Sequence, residues 1–122
     1  MQKKSQIICV ILAGGKGSRL DGKGKFSTKL CDLSLLEHVY RRIINQTSKV
    51  AINFNKKQTK LFNIKEDIIY DFFSEDVGPL AGIHCALKYS YEKYGKESLV
   101  CTVPVDAPFL PLNLINKLLK NI

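Results

Sequence analysis

The stretch Ile7 to Lys25 reads Ile-Ile-Cys-Val-Ile-Leu-Ala-Gly-Gly-Lys-Gly-Ser-Arg-Leu-Asp-Gly-Lys-Gly-Lys. Its first part, Ile7 to Leu12, is apolar and rich in β-branched residues, which is typical of a strand buried on both sides of a parallel sheet. The second part is rich in glycines and in the cations Lys16, Arg19, Lys23 and Lys25. Glycines let a backbone approach a ligand closely, and cations at the carboxyl end of a buried strand suit a polyphosphate. A solvated loop without a ligand is the alternative.

Three better-known phosphate-binding loops do not fit this stretch. A Walker loop requires G-x-x-x-x-G-K-[ST], but Gly15-Lys16 is followed by Gly17, and no glycine stands five residues before Gly15. The dinucleotide fingerprint G-x-G-x-x-G fails because its last position is Leu20. A kinase glycine-rich loop needs a much longer chain behind it.

Length and composition predict one globular domain over residues 1–122. The hydrophobic fraction of 45% and the charged fraction of 25% are ordinary for such a domain. The net charge of +8 is consistent with an anionic partner, such as a nucleotide, nucleic acid or membrane surface. It is equally consistent with a solvated lysine-rich surface, which we favour for most of the charge.

The sequence favours a cytoplasmic protein without a membrane anchor. The longest apolar run, Ile7 to Ala13, is too short to cross a bilayer. No small-x-small cleavage pattern follows it, which argues against a signal peptide. The four cysteines lie far apart without a C-x-x-C pair, which favours free thiols in a reduced compartment over disulfides or a zinc site.

Apolar strands alternate with amphipathic helices along the chain. The predicted strands cover residues 7–12, 50–52, 68–70 and 99–103. This alternation predicts an α/β fold with a Rossmann-like, doubly wound and mainly parallel sheet in three α/β/α layers, here with about four strands. Because parallel strands end at the same edge, the glycine loop, Asn53, Asp71 and Asp106 are expected to meet there.

Three helices are predicted between and after these strands. Ser34-Leu35-Leu36-Glu37 has the pattern of a capping box at the start of the first helix. A second helix is expected to begin near Pro79 and to end before Gly95, with a third beginning at Pro111. The expected buried stripes are Leu80, Ile83, Leu87 and Tyr91 on the second helix, and Leu112, Ile115, Leu118 and Leu119 on the third.

Several motifs resemble those of the molybdenum cofactor guanylyltransferases within the MobA-like nucleotidyltransferases. The matching segments are Leu12-Ala13-Gly14-Gly15-Lys16-Gly17-Ser18-Arg19, Lys25, Leu36-Glu37-His38-Val39, Asn53, Asp71, Gly78-Pro79-Leu80-Ala81-Gly82 and Pro104-Val105-Asp106-Ala107-Pro108-Phe109-Leu110-Pro111. Their order and spacing agree with the family over essentially the whole chain. The combination is specific for the superfamily and less specific for the acceptor substrate.

The resemblance implies a role for each matching residue. Leu12, Ala13, Gly14 and Gly15 correspond to the loop whose main chain holds the guanine nucleotide. Lys25 corresponds to a lysine that contacts the phosphates, and the loop is expected to place Arg19 beside the same phosphates. Asn53 and Asp71 correspond to further nucleotide contacts, and Asp106 corresponds to the carboxylate that binds Mg²⁺. The implied reaction transfers GMP from GTP to molybdopterin.

The sequence also departs from the family in two ways. Gly24 stands where the family has an aspartate before the lysine, and Asp21 is a candidate replacement. Family members continue with strands that complete the sheet and bind the acceptor. We therefore expect the nucleotide half of the site, an uncovered sheet edge and a monomer or weak self-association.

Three alternatives to this function stay open. In the first, the chain is a GTP-binding remnant without catalysis. In the second, it is a related transferase that uses CTP, another nucleotide or a sugar-phosphate acceptor. A basic nucleic-acid-binding domain is disfavoured because the chain lacks a recognisable reading motif.

Overall fold

The computed structural model describes residues 7–13, 29–30, 33–54, 66–70 and 79–120. Within these ranges the elements are β1 (Ile7–Leu12), β2 (Lys29–Leu30), β3 (Leu33–Ser34), α1 (Leu35–Ile43), β4 (Lys49–Phe54), β5 (Asp67–Tyr70), α2 (Pro79–Tyr94), β6 (Leu99–Pro104) and α3 (Leu114–Leu119). Strands β2 and β3 form a short antiparallel pair, and the other four strands form one sheet.

The main sheet has the order β5-β4-β1-β6, and all neighbouring strands are parallel. The chain moves outward from β1 to β4 and β5 and then returns to the opposite side of β1 as β6. The strand order therefore reverses between β1 and β6. In sheets of this kind, ligands bind outside the carboxyl ends of the strands at such a reversal. The predicted α/β fold class is confirmed.

Strand β1 is buried on both of its faces because successive residues of a strand point to opposite sides of the sheet. Cys9 and Ile11 pack into the core cluster beneath α1. Ile8 and Val10 pack into the second cluster beneath α2. All four residues are fully buried. A strand that is buried on both faces needs an unbroken run of apolar residues. Because α1 covers one face of the sheet and α2 the other, the predicted three layers are present.

Helix α1 begins with the predicted capping box. The Ser34 hydroxyl accepts a hydrogen bond of 3.1 Å from the Glu37 N–H, and the Glu37 carboxylate accepts one of 3.3 Å from the Ser34 N–H. These bonds satisfy two of the N–H groups that a helix start leaves without intrahelical partners. Leu36, Val39 and Ile43 are fully buried against the sheet.

The predicted buried face of α2 is wrong at three of its four residues. Leu80, Leu87 and Tyr91 are 69%, 54% and 63% exposed, whereas Ile83 is half-buried. The buried positions are instead small residues, namely Ala81, Gly82, Cys85, Ala86 and Ser90. Small side chains allow the helix backbone to lie close to the sheet, and the larger apolar side chains Leu80, Leu87 and Tyr91 point away from it. The predicted end is confirmed, since Gly95 follows the helix with a φ of 93°.

The last helix also begins later than predicted. Helix α3 begins at Leu114 rather than at Pro111, and the residues between them form a turn. Only Ile115 of the expected stripe is buried, and Leu112 and Leu118 are 70% and 47% exposed. The Pro111 carbonyl accepts a hydrogen bond from the Leu114 N–H, which holds this turn.

The two outer strands of the sheet are β5 and β6. Among the described strands, each pairs with one neighbour only. Self-association through such an edge stays a prediction. No helix in the described parts of the chain is long and apolar enough to cross a membrane.

Candidate functional site

The carboxyl ends of β1, β4 and β6 are joined by main-chain hydrogen bonds just beyond the ladder. The Ala13 N–H donates to the Asn53 carbonyl over 2.8 Å, and the Val105 N–H donates to the Leu12 carbonyl over 3.2 Å. Asp106 directly follows Val105. Four of the predicted site residues, Leu12, Ala13, Asn53 and Asp106, therefore lie along one edge at the reversal of strand order.

The other predicted site residues lie outside the described residues. They are Gly14, Gly15, Arg19, Lys25 and Asp71. Their roles stay predictions.

The hydrogen bonds at this edge restrict which main-chain groups of β1 can serve a nucleotide. The Ala13 N–H is already directed at Asn53, so offering it to a ligand would break that bond. The Leu12 carbonyl accepts from Val105 but has a second lone pair. The Leu12 carbonyl can therefore accept a hydrogen bond from a ligand while the sheet stays intact. A hydrogen bond from the Ala13 N–H to a ligand would replace its bond to Asn53.

Asn53 is buried beneath the first turn of α2. Only 2% of the surface of this residue is exposed to solvent. A Cβ atom at Gly82 would lie 3.0 Å from Asn53 Oδ1 and 3.1 Å from Leu12 Cδ2. Glycine at this position therefore lets α2 approach the ends of β1 and β4.

Asp106 is an exposed carboxylate at the first turn after β6. The neighbouring Val105 is buried and fixes the backbone to β1. No group of three or more potential metal-ligating side chains occurs among the described residues. Mg²⁺ commonly uses one or two carboxylates together with water and substrate phosphates, so a single accessible carboxylate at a fixed strand end fits this ion.

The segment that follows Asp106 is anchored by two side chains of the α1 region. Arg42 Nη1 donates to the Leu110 carbonyl over 2.9 Å, and its guanidinium lies 5.9 Å from the centre of the Phe109 ring. Gln46 Nε2 donates to the Pro111 carbonyl over 3.0 Å, and Gln46 Oε1 accepts from the Ile115 N–H over 2.9 Å. Sequence reasoning missed both residues. Long polar side chains near a helix end look the same in sequence whether they are solvated or bonded to a distant loop.

A charged cluster at the amino-terminal end of β5 is separate from the candidate site, which lies at the carboxyl ends of the strands. Lys93 Nζ lies 2.6 Å from Asp67 Oδ2, and the Tyr89 hydroxyl donates to the same oxygen. The hydrogen bonds from Lys93 and Tyr89 lower the pKa of Asp67. Asp67 is the first residue of β5, whereas the candidate site lies beyond the last residues of the strands. These contacts attach the end of α2 to β5.

Two solved structures share this fold with the chain. CMP:2-keto-3-deoxy-manno-octonic acid synthetase complexed with CTP aligns with a TM-score of 0.72 and 16% identity over 96% of this chain and 47% of that one. Molybdopterin-guanine dinucleotide biosynthesis protein A from Archaeoglobus fulgidus aligns with a TM-score of 0.62 and 20% identity over 91% and 53%. Both likenesses concern the fold alone, which is a Rossmann-like α/β fold with a mainly parallel sheet.

Sequence comparison assigns the chain to one family of proteins with this fold. Residues 9–122 match the MobA-like NTP transferase domain, and the chain belongs to that family. It is 37% identical over 112 residues to a molybdenum cofactor guanylyltransferase of Haemophilus influenzae, covering 92% of this chain and 56% of the relative. A relative of the same name from a Shewanella species is 36% identical over 118 residues, covering 97% and 58%. The chain thus spans little more than half the length of these curated relatives.

Proposed function

We propose that this chain is the nucleotide-binding part of a Mg²⁺-dependent nucleotidyltransferase that transfers GMP from GTP to molybdopterin. The observation that carries the proposal is the meeting of Leu12, Asn53 and Asp106 at the reversal of strand order, in a chain of this family. The names of the relatives, molybdenum cofactor guanylyltransferase, support the choice of nucleotide and acceptor.

The chemistry explains why this kind of site is needed. Attack of an acceptor phosphate on the α-phosphorus of GTP brings several negative charges together. Mg²⁺ supplies a counter-charge and orients the phosphate oxygens when it is bound. Asp106 would hold the ion, while Arg19 and Lys25 would offset the remaining charge. Gly14 and Gly15 would let the backbone approach the phosphates closely.

The base and sugar would be held by the rest of the edge. Leu12 offers a carbonyl with remaining acceptor capacity, and Asn53 lies beside it at the end of β4, beneath the start of α2. Asp71 completes the proposed nucleotide contacts. The start of α2 also carries a positive partial charge, which favours an anionic ligand nearby.

Binding and turnover are tested by two measurements. Calorimetric titration should show GTP binding that strengthens with Mg²⁺, and pyrophosphate should be released only when molybdopterin is also present. Asp106→Asn keeps the shape of the side chain but removes its charge, and we expect it to lower the rate by about 100-fold or more. Absence of GTP binding at millimolar concentration would refute the proposal.

Two parallel titrations test the alternatives. CTP is included because one structural neighbour was solved with CTP, and tighter binding of CTP than of GTP would assign a different nucleotide. A short DNA duplex should not compete with GTP. GTP binding without pyrophosphate release would indicate nucleotide binding alone. A cytoplasmic location stays a prediction.

A further inference from the structure

Two cysteines that are distant in sequence are direct neighbours in the sheet. Cys9 of β1 and Cys101 of β6 are register partners in adjacent parallel strands. Both side chains lie on the α1 face, where Cys101 packs against the cluster that contains Cys9. Neighbouring strands lie about 4.8 Å apart, which is within the range of about 4.4–6.8 Å between the Cα atoms of disulfide-bonded residues.

The two thiols have unequal surroundings. Cys9 is fully buried, whereas Cys101 is partly exposed. A hydrogen bond from Cys9 lowers the pKa of Cys101, and the same bond together with burial raises the pKa of Cys9. Cys101 is therefore the accessible thiol that loses its proton first, with Cys9 behind it as a second thiol. This division of roles is found in reactive cysteine pairs.

The third described cysteine is placed differently. Cys85 lies on α2, on the other side of the sheet, and its thiol donates to the Tyr70 carbonyl over 3.0 Å. It cannot reach the pair without unfolding the sheet. Cys31 lies outside the described residues.

We propose that Cys9 and Cys101 form a redox-active dithiol that hydrogen peroxide converts reversibly into an intrachain disulfide. In the first step the Cys101 thiolate attacks one peroxide oxygen, the O–O bond breaks, and the leaving hydroxide takes a proton to become water. In the second step the Cys9 sulfur attacks the Cys101 sulfenic acid, the S–O bond breaks, and water leaves with the Cys9 proton. Two thiols are oxidised and one peroxide is reduced to two waters.

The bond would join the two strands that flank the reversal of strand order. Cβ atoms in parallel register partners are separated by nearly the strand spacing, more than the about 3.5–4.5 Å of a relaxed disulfide. The bond would therefore draw β1 and β6 together below Leu12 and Asp106. Strained disulfides are readily reduced, so an added dithiol should restore both thiols.

The test uses the full chain with Cys31→Ser and Cys85→Ser, which leaves only the pair. Hydrogen peroxide should remove two hydrogen atoms from the intact mass, and proteolytic mapping should link the peptides of Cys9 and Cys101. Dithiothreitol should reverse the change. Formation of sulfinic acid on Cys101 with Cys9 still free, or of disulfides between chains only, would overturn the proposal.

A matched variant and a rate measurement test the assigned roles. Adding Cys9→Ala to the same background should leave a Cys101 sulfenic acid that dimedone traps, with no loss of two hydrogen atoms. In the reduced native chain, iodoacetamide should modify Cys101 at least about tenfold faster than Cys9, because thiolate character and exposure set the rate. Equal rates, or faster modification of Cys9, would contradict the proposal without requiring any substitution.

Discussion

The start of α3 is stabilised by a side chain from another helix region. Asn113 occupies the position before α3 but makes no side-chain hydrogen bond to it. Gln46 instead accepts a hydrogen bond from the Ile115 N–H, which belongs to the first turn and has no intrahelical partner. Gln46 also donates to the Arg42 and Pro111 carbonyls over 2.7 and 3.0 Å. One side chain thus provides the cap that the local sequence does not provide.

We therefore expect Gln46→Ala to destabilise the protein although Gln46 is a polar residue near the surface. Loss of a helix cap costs about 1 kcal/mol, and loss of the bond to the exposed Pro111 carbonyl adds up to about 1 kcal/mol. The total of about 1–2 kcal/mol corresponds to a fall in Tm of about 3–10 °C for a domain of this size. Urea denaturation followed by circular dichroism measures the free energy of unfolding directly.

Two further variants make this test specific. Gln46→Glu keeps an acceptor for the Ile115 N–H, but it turns a carboxylate oxygen toward the Arg42 and Pro111 carbonyl oxygens, so it should also lower the free energy of unfolding at neutral pH. Asn113→Ala removes the residue that would cap the helix if local sequence decided, and it should change the free energy of unfolding by less than about 0.5 kcal/mol. A larger decrease in the free energy of unfolding for Asn113→Ala than for Gln46→Ala would refute the assignment of Gln46 as the cap of α3.

Two other predictions concern α2. Ala86→Val should lower the free energy of unfolding by about 1–3 kcal/mol because it overpacks the face that contacts the sheet. Leu87→Gln should change it by less than about 0.5 kcal/mol, and urea denaturation compares the two variants. A larger loss for Leu87→Gln than for Ala86→Val would support the buried face predicted from the sequence. The lowered pKa of Asp67 beside Lys93 stabilises the fold above the unfolded pKa of about 4, and this contribution is lost as the pH falls through the folded pKa. Asp67→Asn should therefore be less stable than the native chain at neutral pH but equal to it in strong acid, and a constant difference in acid unfolding curves would contradict this.

The sheet could be predicted because its signals are local and repeated. The run from Ile7 to Leu12 has no polar face, so burial on both sides was the consistent interpretation. The start of α1 was equally predictable, because Ser34 and Glu37 satisfy the helix end within four residues. In both cases the signal that predicts the structure lies within a few neighbouring residues, although the contacts that bury β1 come from distant parts of the chain.

The faces of the later helices were not predictable in the same way. On α2 the side chains with the largest apolar surface were assigned to the core, but close approach to the sheet selects Ala81, Gly82 and Ala86 instead. On α3 the start depends on Gln46, which stands far away in the sequence. The placing of Asn53 and Asp106 at one edge followed from topology alone, and Leu12 was added by the family resemblance, whereas the hydrogen bond that occupies the Ala13 N–H required coordinates.

The central place of β1 has a consequence for synthesis on the ribosome. β1 is the first described strand to leave the exit tunnel, yet one of its two ladder partners, β6, follows only after residues 13–98 have been made. Until then one edge of a strand without polar side chains lacks its final partner, and pairing over such a sequence separation is slow. Nascent chains stalled before Leu99 should therefore aggregate or recruit chaperones, whereas chains stalled well beyond Pro104 should not.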